Sequence, residues 1–131
     1  MARIPVYLVT LLVFLTLDAF WLGVFSGSLY TGTLGAIMVE SFRIVPAVVF
    51  YLLYVAGIVV FVLPLARRYA NVWMAPLYGA FFGLCAYGTY DLTNHAVLKV
   101  WTTQLTLIDM AWGAFVTAMA SLAGNLMDRR R

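Results

Sequence analysis

Charge is what this sequence has least of. Only 10% of its 131 residues are charged, and Glu40 is its one glutamate. Histidine and cysteine occur once each, as His95 and Cys85. A soluble domain of this length covers itself with far more charge, so a water-exposed fold is excluded. A single cysteine closes no intramolecular disulfide and leaves the redox compartment unread. A single histidine, with no H-x-x-H or E-x-x-H spacing, is a faint signal for a metal site even with Asp18, Asp91 and Asp109 beside it. A glycine-rich phosphate loop, a nucleophile elbow and a zinc signature are also missing. The net charge of +3 is no nucleic-acid footprint, because the basic residues fall in the gaps between apolar runs.

What is present is apolar. Hydrophobic residues make up 65% of the chain, and its mean hydropathy is +0.98. A bilayer's hydrocarbon core is about 30 Å thick, so roughly 20 apolar residues make one helical crossing. Four crossings with short loops nearly exhaust the chain. The expected fold is an all-α integral membrane protein, a four-helix transmembrane bundle in one domain over 1–131, with helices near 4–25, 46–64, 72–93 and 105–127.

The first run follows Arg3, as a signal peptide would. It is too long for a typical h-region, Asp18 interrupts it, and no A-x-A-like site follows, so it reads as a retained helix. Residues 26–45 form a linker with Gly27, Gly32 and Gly35. Its Leu34, Ile37, Met38 and Phe42 recur at helical spacing, as in a segment lying flat at the interface. The second helix opens at Pro46, a favoured first-turn position, and stops before Pro64 and the Arg67-Arg68 pair. It carries no acid or base and reads as the structural helix. Gly79, Ala80, Gly83, Ala86 and Gly88 on the third helix make a small-residue surface. Ala111, Ala114, Ala118 and Ser121 on the fourth make another, both suited to close packing. Cys85, among Gly83, Leu84 and Ala86, reads as a further small packing residue.

Four crossings put both termini on one side, with Arg3, Arg67, Arg68 and Arg129 to Arg131. The opposite side holds Arg43 and Lys99. That asymmetry predicts an N-in/C-in orientation. Trp73, Trp101, Tyr69 and Tyr30 fall near run ends, as an aromatic belt does.

Three aspartates sit inside crossing segments: Asp18, Asp91 and Asp109. Each costs about 2.5–3.5 kcal/mol at a helix centre. Buried polar contacts between membrane helices return about 0.6 kcal/mol on average, so acting as helix-to-helix glue does not offset that cost. Asp18 lies about 20 Å along its helix from the inner end, and Asp109 about 6 Å in from the outer end of its own. Asp91 is close to the outer end of the third helix. All three carboxylates therefore fall in the outer layer of the bilayer.

The neighbours of these aspartates repeat. Asp91, Asn94 and His95 stand at i, i+3 and i+4, with Tyr87 one turn earlier, and share a face if the helix continues that far. Asp18 and Trp21 are three apart, as are Asp109 and Trp112. No lysine or arginine lies within these helices. Carboxylates gathered in a low-dielectric site cannot all stay ionised, so the cluster either holds a proton, binds a cation or recruits a loop base. A retained proton is what an acid/base site requires. Asp91 and Asp109 are thus the candidate catalytic pair and Asp18 a supporting carboxylate. Asn94, Tyr87, Trp21, Trp112 and His95 are candidate ligand-binding residues, with His95 the weakest because an interfacial histidine is commonly just wetted.

The segments Y-D-L-T-N at 90–94, L-I-D-M-A-W-G at 107–113 and L-D-A-F-W-L-G at 17–23 together resemble an uncharacterised family of small bacterial membrane proteins, known as a domain of unknown function. The resemblance spans essentially the whole chain. It implies four helices and a location in the bacterial inner membrane, and it supplies no activity. His95 lies outside the motif.

The leading expectation is a polar pocket near the outer leaflet that binds a lipid-like amphiphile, with acid/base chemistry on it. A second is a proton- or cation-linked transporter working as a homo-oligomer. A third is an accessory or assembly subunit whose aspartates dock a partner. The bilayer itself is the expected partner, nucleic acid is not, and no cofactor is readable from the residues.

Overall fold

The computed structural model describes residues 3–25, 30–38 and 43–130, which form helices and connecting turns with no strand among them. Helix α1 is Arg3–Phe25. A short α2, Thr31–Leu34, runs on as a 3-10 turn over Gly35–Ile37. Helix α3 is Ile44–Ala66, α4 is Met74–Val97 and α5 is Thr103–Arg129.

Among the described residues, three stretches are long and apolar enough to cross a membrane: Arg3–Val24, Ile44–Ala66 and Thr103–Arg129. Helix α4 has 24 residues, but its C-terminal turns carry Thr89, Asp91, Thr93, Asn94 and His95, which dilute its apolarity. It runs one turn beyond the end expected near residue 93. No proline or glycine interrupts it there, and the amide of Leu98 closes the last turn on the Asn94 carbonyl at 2.8 Å. Asp91, Asn94 and His95 therefore do lie on one helix. The next helix starts at a polar cap, the Thr102 hydroxyl accepting from the Leu105 amide at 3.1 Å.

Proline shapes α3. Pro64 has no N–H, and its ring displaces the carbonyl one turn back, so the ladder widens. Ile58–Val62 is accordingly a π-helical segment, with the Leu63 amide reaching the Ile58 carbonyl. The helix ends at Ala66, where the side chain of Arg129 takes over the loose carbonyls. Its guanidinium donates to Tyr69 O at 2.7 Å and to Ala66 O and Ala70 O at 3.4 Å. Arg67 pairs with Asp128 at 2.8 Å, and Arg3 shares a hollow with both. Basic residues of α1, α3 and α5 thus gather at one end of the molecule.

Helix α5 is the spine. Helix α4 lies antiparallel along it at backbone contact: a methyl on Gly83 would collide with the Gly113 carbonyl and stand 2.7 Å from Thr117 Oγ1. The ring of Tyr87 occupies the space that a side chain at Gly113 would need. The close face of α5 is therefore Gly113, Thr117 and Ser121, whereas Ala111, expected on that face, is exposed. The ladder 113-117-121 meets the glycines of α4; of the face expected from sequence, Ala111 turns outward, whereas Ala118 is buried and Ser121 packs on Gly79. Cys85 is likewise exposed rather than packed.

Helices α1 and α3 close the core, with Phe14, Val55, Ile58 and Val116 fully buried. The ring of Phe14 meets that of Tyr54 edge-on at 5.3 Å. The outer faces stay apolar: Leu12 and Phe20 on α1, Leu53 and Phe61 on α3, Leu77 and Phe81 on α4, Leu107 and Phe115 on α5 are all exposed. A greasy girdle of this kind is what a bilayer covers.

The linker is only partly flat on the surface. Ile37 and Met38 are exposed, but Leu34 is buried against Trp101 and Leu105, with Tyr30 and Leu98 packed beside them. Trp101, expected in the belt, is inside this cap and donates its indole N–H to Thr106 at 2.9 Å. Trp73 and Tyr69 are exposed as a belt requires. Gly27, Glu40 and Phe42 lie outside the described residues.

Candidate functional site

At the end of the molecule away from Arg3, Arg67 and Arg129, α1 and α5 run antiparallel with their D-x-x-W segments facing. The two indoles stack: Trp21 and Trp112 lie 4.5 Å apart and 9° from parallel. Each then serves the other helix's carboxylate. The N–H of Trp112 donates to Asp18 Oδ1 at 3.1 Å. The N–H of Trp21 donates to the Tyr30 hydroxyl at 2.8 Å, and that hydroxyl donates to Asp109 Oδ1. An indole can only donate, so the chain Trp21 to Tyr30 to Asp109 has a fixed direction.

Asp18 accepts a second bond, from the Tyr51 hydroxyl to Oδ2. Both of its oxygens are thus tied to neighbouring helices, one to α5 and one to α3. Burial pushes the Tyr30 phenol well above its ordinary value of 10.0, and the bond to Asp109 adds to the shift.

Between these groups lies a cavity of about 430 Å³. Asp18, Asp109, Trp21, Trp112 and Tyr87 line it, together with Tyr30, Tyr51, Tyr90 and Phe50. Asp91 is fully buried. Neither of its oxygens has a hydrogen-bond partner among the described residues, and its interacting neighbour is the carboxyl of Asp109. Buried, unpartnered carboxyls are costly and rare, which sets Asp91 apart from ordinary packing.

Asn94 and His95 are not on the cavity wall. His95 turns toward α5, with Nδ1 3.1 Å from Thr106 Oγ1 and Nε2 3.5 Å from Thr103 Oγ1. Asn94 contributes its backbone carbonyl to the end of α4. Among the described residues no three histidine, cysteine, aspartate or glutamate side chains come together to hold a metal ion.

Tyr51 is the residue that sequence reasoning missed. It lies on the helix read as purely structural, where it and Tyr54 are the only side chains with a polar atom. That isolation was the available signal. Tyr30 was legible only as a belt residue, because its partner is 79 positions away.

Length, apolar girdle and buried carboxylates define an all-helical membrane protein. The chain belongs to the family DUF2177, described as a predicted membrane protein, whose model matches residues 3–126. No curated protein and no solved structure gives a significant match.

Proposed function

We propose that the protein holds a lipid-like amphiphile with its head between Asp18 and Asp109 and carries out acid/base chemistry on that head. The observation that carries this reading is the position of Phe50. It lines both the carboxylate-bearing cavity and a second, apolar hollow of about 440 Å³ formed with Leu53, Gly57, Phe61 and Phe82. A carboxylate-bearing recess that adjoins an apolar trough at Phe50 fits a molecule with a head and a tail.

Asp91 and Asp109 are the proposed proton-handling pair. Facing carboxyls in a water-poor site repel when both are charged, which favours sharing a proton between them. Asp18 is the supporting carboxylate, Tyr87 orients the head, and Trp21 and Trp112 wall it in. Asn94 and His95, just beyond the cavity on α4, steer entry. The accompanying placement has four crossings, α4 included, in a bacterial inner membrane with both termini inside. The gathering of Arg3, Arg67 and Arg129 at the end opposite the cavity supports that orientation.

The test is the lipid that accompanies the protein through purification in mild detergent, measured by mass spectrometry. The wild type should carry a bound amphiphile, and Ala86→Phe, which fills the cavity, should lose it. Identical lipid complements in the two would overturn the proposal.

One observation favours transport as a second reading. Thr117, Ser121 and Asn125 follow one another at four-residue steps down α5, all fully buried. Thr117 meets the Tyr54 hydroxyl at 2.7 Å, and Ser121 Oγ and Asn125 Oδ1 have no partner among the described residues. A proton- or cation-linked transporter, working as an oligomer, would use such a line. Proton flux into proteoliposomes that Thr117→Val abolishes would favour it over the first reading.

A further inference from the structure

We infer that the head group held between Asp18 and Asp109 is an organic cation, an alkylammonium alone or as the positive end of a zwitterionic head. The inference rests on the amphiphile reading above for its tail, and on the following chemistry for its charge.

The cavity wall carries two carboxylates and no lysine, arginine or histidine. Behind Asp109 stands Asp91, fully buried and without a hydrogen-bond partner among the described residues. No cationic side chain on the wall balances these carboxyls. The one ion pair found among the described residues, Arg67 with Asp128, is at the opposite end of the protein. The indole and phenol donors nearest the carboxylates are already directed at them: Trp112 and Tyr51 at Asp18, Tyr30 at Asp109. An anionic head would meet like charge with those donors committed elsewhere.

Apart from Leu22 and Ala86, the remaining wall is aromatic. Trp21, Trp112, Tyr87, Tyr90 and Phe50 surround the space, and the negative faces of such rings attract ammonium groups, most strongly when water is excluded. A bare metal ion is the poorer occupant, because no three ligating side chains converge among the described residues and a hard cation asks for six or more oxygens. A cavity of about 430 Å³ suits a bulkier, softer cation. Carboxylates supply the charge and rings supply the shape.

The experiment uses the full chain in neutral maltoside micelles at neutral pH, reading tryptophan fluorescence, to which the stacked Trp21 and Trp112 contribute. Three probes are titrated: dodecyltrimethylammonium, dodecyl sulfate and tetramethylammonium. The cationic amphiphile should saturate at a concentration about tenfold lower than the sulfate, a factor expected for one desolvated cation–ring and carboxylate contact. Asp18→Asn should remove that preference while still unfolding cooperatively, at a midpoint lowered by the loss of one of its two accepted bonds. The wild-type comparison stands even if the variant folds poorly. Equal binding of the cationic and anionic amphiphiles overturns the cationic head and leaves the amphiphile reading intact. Binding of tetramethylammonium as tight as its dodecyl counterpart supports the cation and overturns the tail. Binding of none of the three overturns both.

Discussion

Trp21 and Trp112 lie face to face at 4.5 Å, and each indole N–H is spent on the carboxylate system of the opposite helix. The two D-x-x-W segments are therefore one device. Asp18 is held by Trp112 directly and Asp109 is reached from Trp21 through Tyr30, so neither half is complete alone. Trp112→Phe keeps the ring stack but deletes the donor to Asp18. It should lower stability by about 1 kcal/mol, between the membrane average and the usual worth of a bond to a charged group. Thermal unfolding in detergent measures this. An unchanged midpoint would mean that the indole bond to Asp18 contributes nothing.

Asp91 offers the opposite sign. Its carboxyl is buried beside Asp109 with no hydrogen-bond partner among the described residues, so the wild-type side chain is a cost to the fold. Asp91→Asn removes the charge while keeping the shape. The variant should be more stable by about 1 kcal/mol, because its amide N–H can donate to the Asp109 carboxyl that the Asp91 carboxyl crowds, and should lose function. Stability gained as activity is lost marks a residue kept for chemistry. A destabilised Asp91→Asn variant would place the residue among the structural ones.

Close packing of α4 on α5 is tested at glycine. Gly83→Ala drives a methyl into the Gly113 carbonyl, which is backbone and cannot swing aside. The expected loss is about 1–3 kcal/mol, as for other overpacked interiors. Gly23→Ala is the matched control, since nothing lies within 4 Å of its added methyl. It should be neutral or slightly stabilising. Equal effects at the two sites would contradict the tight α4–α5 seam.

Tyr30 gives a pH signature. Burial first, then the bond to Asp109, raises its phenol above the ordinary 10.0. A raised acid favours the folded state's neutral form, so its contribution is fully present below pH 10 and is lost as pH climbs beyond that toward the folded value. Stability should therefore bend downward in the alkaline range, and Tyr30→Phe should flatten that bend. Phenolate absorbance read alongside unfolding checks the assignment. A bend that survives in Tyr30→Phe would assign it elsewhere.

The sequence revealed the parts of the site whose placement is expensive. An aspartate in an apolar run announces itself, and the D-x-x-W spacing could be read on each helix separately. The partners were not legible for a physical reason. A tyrosine near a run end looks like belt, and only the folded chain brings Tyr30 to Asp109 or Tyr51 to Asp18, 33 positions apart. The small faces show the same limit. Sequence identified glycine and alanine as close-packing material, but the rotation that puts Gly113 and Thr117 inward and Ala111 outward depends on which groove of α4 receives them.

The most direct measurement is an experimental structure of the full chain in a lipid bilayer, resolved well enough to show what fills the space around Phe50. The expected result is one elongated density, its head between Asp18 and Asp109 and its tail along Gly57 and Phe61. A cavity holding only water, or a trough sealed by a second protein chain, would contradict the proposed function.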